Sequence, residues 1–153
     1  IIKEIPDVQI DIVGEGPQRS ILERKTSQNG TKSHVHFHGN VSAEQLIGLY
    51  KSCTAFCHLS QSDGWNQPAL EAMATGRPVI GMNEPHNSMI IDGITGYLLH
   101  STETKDLSEK IIQILSDTKL ASQMGNYAHD IVSTNYSLDV VSQKYAEDFR
   151  GLI

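Results

Sequence analysis

From residue 8 to about residue 117, short runs with strand character alternate with longer segments of helical periodicity. That alternation limits the fold more than any other feature of the chain. Strands joined through a helix within one sheet run parallel, and a parallel sheet needs helices on both faces. The strand runs are 8–13, which alternates and is rich in β-branched residues, then 34–39, 54–59, 77–82 and 97–99. The expected fold is therefore α/β, a Rossmann-like parallel sheet flanked by helices. Ligands in such sheets bind beyond the carboxyl ends of the strands. The loops 14–17, 39–42, 60–68 and 83–88 all lie at those ends, so one crevice is expected there. A chain of 153 residues is expected to form a single domain, 1–153.

The loop best suited to chemistry is Asp63-Gly64-Trp65-Asn66-Gln67-Pro68-Ala69-Leu70-Glu71. The run before it reads as a buried strand. Residues 68–75 read as a helix, with Pro68 in the first turn, where a missing N–H does no harm. Leu70, Met73 and Ala74 recur at helical spacing and would face a core. A strand, loop and helix in this order point free main-chain N–H groups and the positive end of a helix dipole into the crevice. That suits an anion such as a diphosphate. Asp63 sits at the mouth of the loop. Glu71, expected in the first helical turn, is placed to accept hydrogen bonds from sugar hydroxyls. The plainer reading of both acids is a helix N-terminus stabilised by nearby carboxylates, at about 0.3–1 kcal/mol each.

Taken in order, residues 60–80, SQSDGWNQPALEAMATGRPVI, followed by Asp92-Gly93-Ile94-Thr95-Gly96-Tyr97, resemble the donor-site signature of the family 4 retaining glycosyltransferases. That family has the two-domain GT-B fold. Its signature contains two acids separated by seven residues, here Asp63 and Glu71. Three positions depart from it: Asp63 where Glu is usual, Asn66 where glycine is usual, and Ser88 where an acid is common. The resemblance implies one half of a GT-B fold, the C-terminal donor-binding domain, with the acceptor-binding N-terminal domain absent. It implies a UDP- or GDP-linked hexose as donor. Gly64, Trp65, Asn66 and Gln67 would offer main-chain N–H groups to the phosphate and sugar. Glu71 would bind the ribose hydroxyls. Asp63 would hold the transferred sugar and stabilise its developing positive charge. Main-chain groups of Asn40 and Val41 would meet the base, and residues 12–17 resemble the family's glycine loop, with Gly14 and Gly16. Retention of anomeric configuration is implied, with no metal and no cofactor. The acceptor (a glycan, lipid or protein) and any membrane contact would belong to the missing half. The family's diphosphate-neutralising Arg and Lys usually lie upstream of the first strand read here. The chain alone is therefore expected to bind a sugar nucleotide weakly and to transfer nothing. Two readings of other classes stand beside this one: a sugar-nucleotide epimerase of the same fold, and a non-catalytic transferase-like partner, which the three departures keep open.

Other motifs carry less. The strand–GxG–helix at 10–28 invites a dinucleotide, but Arg19 stands where that fingerprint needs a small residue. His34, His36 and His38 share one face of a strand, yet zinc would need a fourth ligand and no carboxylate is evident nearby. Cys53 and Cys57 are too few for a zinc or redox site and read as small buried residues in a reducing compartment, hence a cytoplasmic protein. A net charge of -6 argues against a nucleic-acid surface. No apolar run approaches the ~20 residues of a membrane span. The start at Ile1 shows no signal-peptide pattern and no initiator Met, and reads as a fragment of a longer chain. Ser42 and Gln45 form a capping box for a helix to about Lys51. Beyond residue 100 the chain is helical, with apolar stripes Leu107, Ile111, Ile114 and Leu115, then Leu120, Met124, Tyr127 and Ile131. Ser137 caps a last helix with Leu138, Val141, Tyr145 and Phe149 inward.

Overall fold

The computed structural model describes residues 1–60 and 64–151. They fall into two compact units, Ile1–Ser52 and Cys53–Ile153. The α/β class is as expected, with parallel strands flanked by helices. The strands form a two-stranded and a three-stranded sheet rather than one continuous sheet. Alternation marks a strand but says nothing of which strand lies beside it. Among the described residues, no helix is long and apolar enough to cross a membrane.

In the first unit, β1 (Ile10–Val13) and β2 (Val35–Gly39) pair in parallel, with Ile10 opposite Val35 and Ile12 opposite Phe37. Helix α1 (Arg19–Gln28) and a 3-10 turn, Lys32–His34, connect them. Helix α2 (Ala43–Ser52) opens on the expected capping box. Gln45 N–H donates to Ser42 Oγ at 3.2 Å, and Ser42 N–H donates to Gln45 Oε1 at 2.9 Å. Ile21 and Leu22, expected inward, are 38% and 39% exposed, because two strands are too narrow to cover α1. Arg19, the residue that spoils the dinucleotide fingerprint, pairs with Glu15 and, at 2.9 Å, with Glu23. Its Nη2 donates to the Phe37 carbonyl of β2 at 3.2 Å, with the guanidinium 6.0 Å from the centre of the Phe37 ring.

In the second unit, β3 (Phe56–His58), β4 (Val79–Met82) and β5 (Gly96–Leu99) form a parallel sheet with β4 in the centre. Val79 stands opposite Phe56 on one side and Gly96 on the other. All four residues of β4 are buried, as a central parallel strand requires. The helices are α3 (Gln67–Ala74), α4 (Thr104–Ser116), α5 (Thr118–Asn135) and α6 (Leu138–Arg150). Ile80, Met82, Tyr97 and Leu99 of the sheet form a core with Ile114 of α4 and with Ala121 and Met124 of α5. Two glycines permit the close packing. A Cβ at Gly125 of α5 would stand 2.1 Å from the carbonyl oxygen of Gly76, which follows α3. At Gly96, where φ is +152°, it would stand 1.9 Å from the Val79 oxygen.

Three expectations of burial are corrected here. On α5 the buried line runs through Ala121, Met124, Gly125, Ala128 and Val132, and Tyr127 is exposed. On α6, Leu138, Tyr145 and Phe149 are 84%, 62% and 66% exposed, so its apolar stripe covers no core. Cys53 is half-buried and Cys57, on the edge strand β3, is exposed, both as free thiols.

Candidate functional site

Helix α3 begins one residue before Pro68, with Gln67 first and Asn66 as its N-cap. The Asn66 side chain is buried. Its Oδ1 accepts the Ala69 N–H at 3.1 Å, and its Nδ2 donates to Asn87 Oδ1 at 2.6 Å. Asn87 is fully buried in turn, and its Nδ2 donates to the Met82 carbonyl at the end of β4 at 2.8 Å. Position 66 must accept from one neighbour and donate to another, which a carboxamide does and glycine cannot. The departure at Asn66 thus has a structural reason: it ties the loop before α3 to the 3-10 turn Pro85–Asn87 and to the sheet. Nearby, His86 Nε2 donates to the Ser60 carbonyl at 3.2 Å.

The main-chain donors of this turn can be accounted for one by one. Gln67 N–H donates to the Trp65 carbonyl at 2.9 Å and Leu70 N–H to the Asn66 carbonyl at 3.3 Å, while Ala69 is capped and Pro68 has no N–H. Gln67, expected to offer its N–H to a ligand, spends it inside the turn. Among the described residues, the N–H groups of Gly64, Trp65 and Asn66 meet no protein acceptor. They sit at the positive end of α3. Glu71 lies in the second turn, not the first, because the helix starts earlier than its proline indicated. It is half-buried, and its Oε1 accepts Gln67 Nε2–H at 2.9 Å, so the Gln67 side chain helps to aim it. Asp63 lies outside the described residues.

The other loops of this unit frame α3. Asn83 N–H donates to the Leu99 carbonyl at 2.8 Å, extending the β4–β5 pairing into the loop. Ser88, where the resembling family often has an acid, is exposed and carries only a hydroxyl. Asp92 Oδ1 accepts the Leu98 N–H at 2.8 Å, which makes it a residue of the turn into β5. Asn87 and His86 were not singled out in the sequence. Each acts on a partner more than twenty residues away, so no local pattern announces them.

In the first unit, Gly14 N–H donates to the Gly39 carbonyl at 2.8 Å, which joins the loops 14–17 and 39–42 at the carboxyl ends of β1 and β2. Gly16 lies in the turn before α1, its carbonyl accepting the Arg19 N–H at 3.1 Å. Asn40 and Gly16 are exposed and Val41 is half-buried. His36 and His38 lie on β2, whereas His34 ends the 3-10 turn before it, and a carboxylate stands beside His38 after all, brought by the pairing of β1 with β2. His34 Nδ1 donates to the Val8 carbonyl at 2.9 Å, His36 Nε2 to Gln9 Oε1 at 2.9 Å and His38 Nε2 to Asp11 Oδ1 at 2.6 Å. The rings address three separate acceptors. Among the described residues, no group of three His, Cys, Asp or Glu converges as a metal site.

Comparison with known proteins identifies the family. Residues 1–130 match the family model of the glycosyl transferases group 1. The GtfA subunit of the UDP-N-acetylglucosamine–peptide N-acetylglucosaminyltransferase of Limosilactobacillus reuteri subsp. suis is 32% identical over 117 residues, which is 75% of this chain and 22% of that protein. The GDP-mannose-dependent alpha-(1-6)-phosphatidylinositol monomannoside mannosyltransferase of Mycolicibacterium smegmatis is 28% identical over 157 aligned residues, covering 97% of this chain and 41% of that protein. Among solved structures, the C-terminal domain of a glycosyl transferase group 1 family protein from Francisella tularensis superposes with a TM-score of 0.82. The identity is 27%, covering 90% of this chain and 74% of that one. The chain spans 21% to 41% of the length of these and similar curated relatives. Its fold is that of the C-terminal, donor-binding domain of GT-B glycosyltransferases. On a match that takes in both sheets and the whole of α3, the chain belongs to the group 1 glycosyltransferases.

Proposed function

We propose that the chain is the donor-binding half of a retaining glycosyltransferase that moves a hexose-type sugar from a UDP- or GDP-sugar to a glycan, lipid or protein acceptor. The observation that carries this reading is the start of α3. Three main-chain N–H groups, of Gly64, Trp65 and Asn66, have no acceptor among the described residues. The buried Asn66–Asn87 pair holds that turn in place. As the bond to the sugar breaks, negative charge gathers on the departing diphosphate. Donors fixed in advance at a helix N-terminus stabilise that charge without having to reorganise. Glu71, aimed by Gln67, binds the ribose hydroxyls. Asp63 holds the transferred sugar. We assign no metal ion and no cofactor to the step, since the main-chain donors take the charge. Two relatives support a nucleotide-sugar donor: the name of one specifies UDP-N-acetylglucosamine and that of the other GDP-mannose. Acceptor choice belongs to polypeptide beyond the portion that this chain shares with its relatives.

The test is a titration with UDP, GDP, ADP and NAD followed by amide NMR, with Glu71→Ala alongside. One nucleotide, UDP or GDP, should shift amides at 64–71. Losing a charged hydrogen-bond partner should weaken its binding roughly 10- to 100-fold in the variant. Shifts with NAD alone, or unchanged affinity in Glu71→Ala, would overturn the reading.

A further inference from the structure

Trp65 is 54% exposed, yet its ring is not without a neighbour. It stands 5.6 Å from the ring of Tyr136, the planes at 51°. This is the tilted geometry that aromatic quadrupoles favour. Tyr136 comes from far along the chain and is held firmly. It is the C-cap of α5, its N–H donating at 2.9 Å to the carbonyl of buried Val132. The next residue, Ser137, caps α6 by accepting the Val140 N–H at 3.4 Å. The main chain at Tyr136 is therefore fixed from both sides by helix ends, and α5 is in turn built into the core through Ala121 and Met124.

Trp65 occupies the middle of the turn whose N–H groups are offered to the donor. Its carbonyl accepts the Gln67 N–H, its own N–H meets no acceptor among the described residues, and Gly64 before it adds no side chain to hold the loop. Asn66 is anchored on one side by Asn87. The indole is the anchor on the other side.

We propose that Tyr136 is a positioning residue of the donor site: through its ring it holds Trp65, and through Trp65 it sets the N–H groups that receive the diphosphate. The inference rests on the proposed donor reading and adds a residue that touches no substrate. The ring makes the contact, so Tyr136→Phe retains the function, whereas Tyr136→Ala and Tyr136→Leu lose it. Leucine keeps apolar volume at the site and serves if the alanine variant does not fold.

The chain has a single tryptophan, so its fluorescence reports on this loop alone. In Tyr136→Ala and Tyr136→Leu the emission should shift to the red. Calorimetric affinity for UDP or GDP should fall roughly 3- to 10-fold, the size of one aromatic pair. Tyr136→Phe should restore both. Folded Ala or Leu variants that bind nucleotide as tightly as the wild type would overturn the inference and leave the donor reading intact. If the wild type binds neither nucleotide, the donor reading falls, and the inference falls with it, whatever the emission does.

Discussion

At the scale of single residues, Asn66 and Asn87 show how a buried amide can be required twice over. Truncating Asn87 to Ala leaves Asn66 Nδ2 buried without an acceptor, while the Met82 carbonyl keeps the Glu84 N–H at 2.8 Å. An abandoned buried donor costs about 1–3 kcal/mol, so Asn87→Ala should lower stability by about that much in urea denaturation. Asn66→Gly, the residue usual in the resembling family, should be far less harmful in the Asn87→Ala background than alone, because the partner it abandons is already gone. Strict additivity in that double-mutant cycle would show that the two amides do not depend on each other. Asn66 was legible as a departure from a motif, and Asn ahead of a first-turn proline is an N-cap signal. Giving that signal more weight than the proline would have placed Glu71 in the second turn. Asn87 was not legible, because its partner is 21 residues away and only the fold brings the two together.

At the scale of elements, the helices were legible as helices and much less so as faces. Helix α4, Thr104–Ser116, holds the stripe Leu107, Ile111, Ile114 and Leu115, and Ser137 caps α6 as its sequence indicates. A stripe at helical spacing shows that one side is apolar, not what that side meets. On α5 the buried line is built from small residues, Ala121, Gly125 and Ala128, that carry little hydrophobic signal, while large Tyr127 stays outside. Gly125 is the sharpest case, because the backbone of Gly76 occupies the place of a side chain. Gly125→Ala raises intrinsic helix propensity by about 1 kcal/mol and would stabilise a free helix. Here it should instead destabilise by about 1–3 kcal/mol or more, since a methyl group must push α5 away from the turn after α3. A rise in melting temperature for that variant would show that the approach is looser than described.

At the scale of the whole molecule, the alternation of strand and helix was enough to read a parallel α/β chain and the order of its loops. It did not foretell that the strands divide into two hydrogen-bonded sets, since neighbour relations are set by long-range packing. Among the described residues β2 has one strand neighbour, β1. Main-chain groups along such a strand are a template for another chain. Arg19 answers part of that hazard by hydrogen-bonding the Phe37 carbonyl and lying over its ring, so that this acceptor is already engaged. Arg19→Ala should therefore leave the fold in place but make the protein associate with itself as it is concentrated. Sedimentation velocity would show this as a weight-average coefficient that climbs with loading, and a flat dependence equal to the wild type would exclude the role. An arginine that denies this chain a dinucleotide fingerprint thus helps to decide how much of the protein can stay in solution.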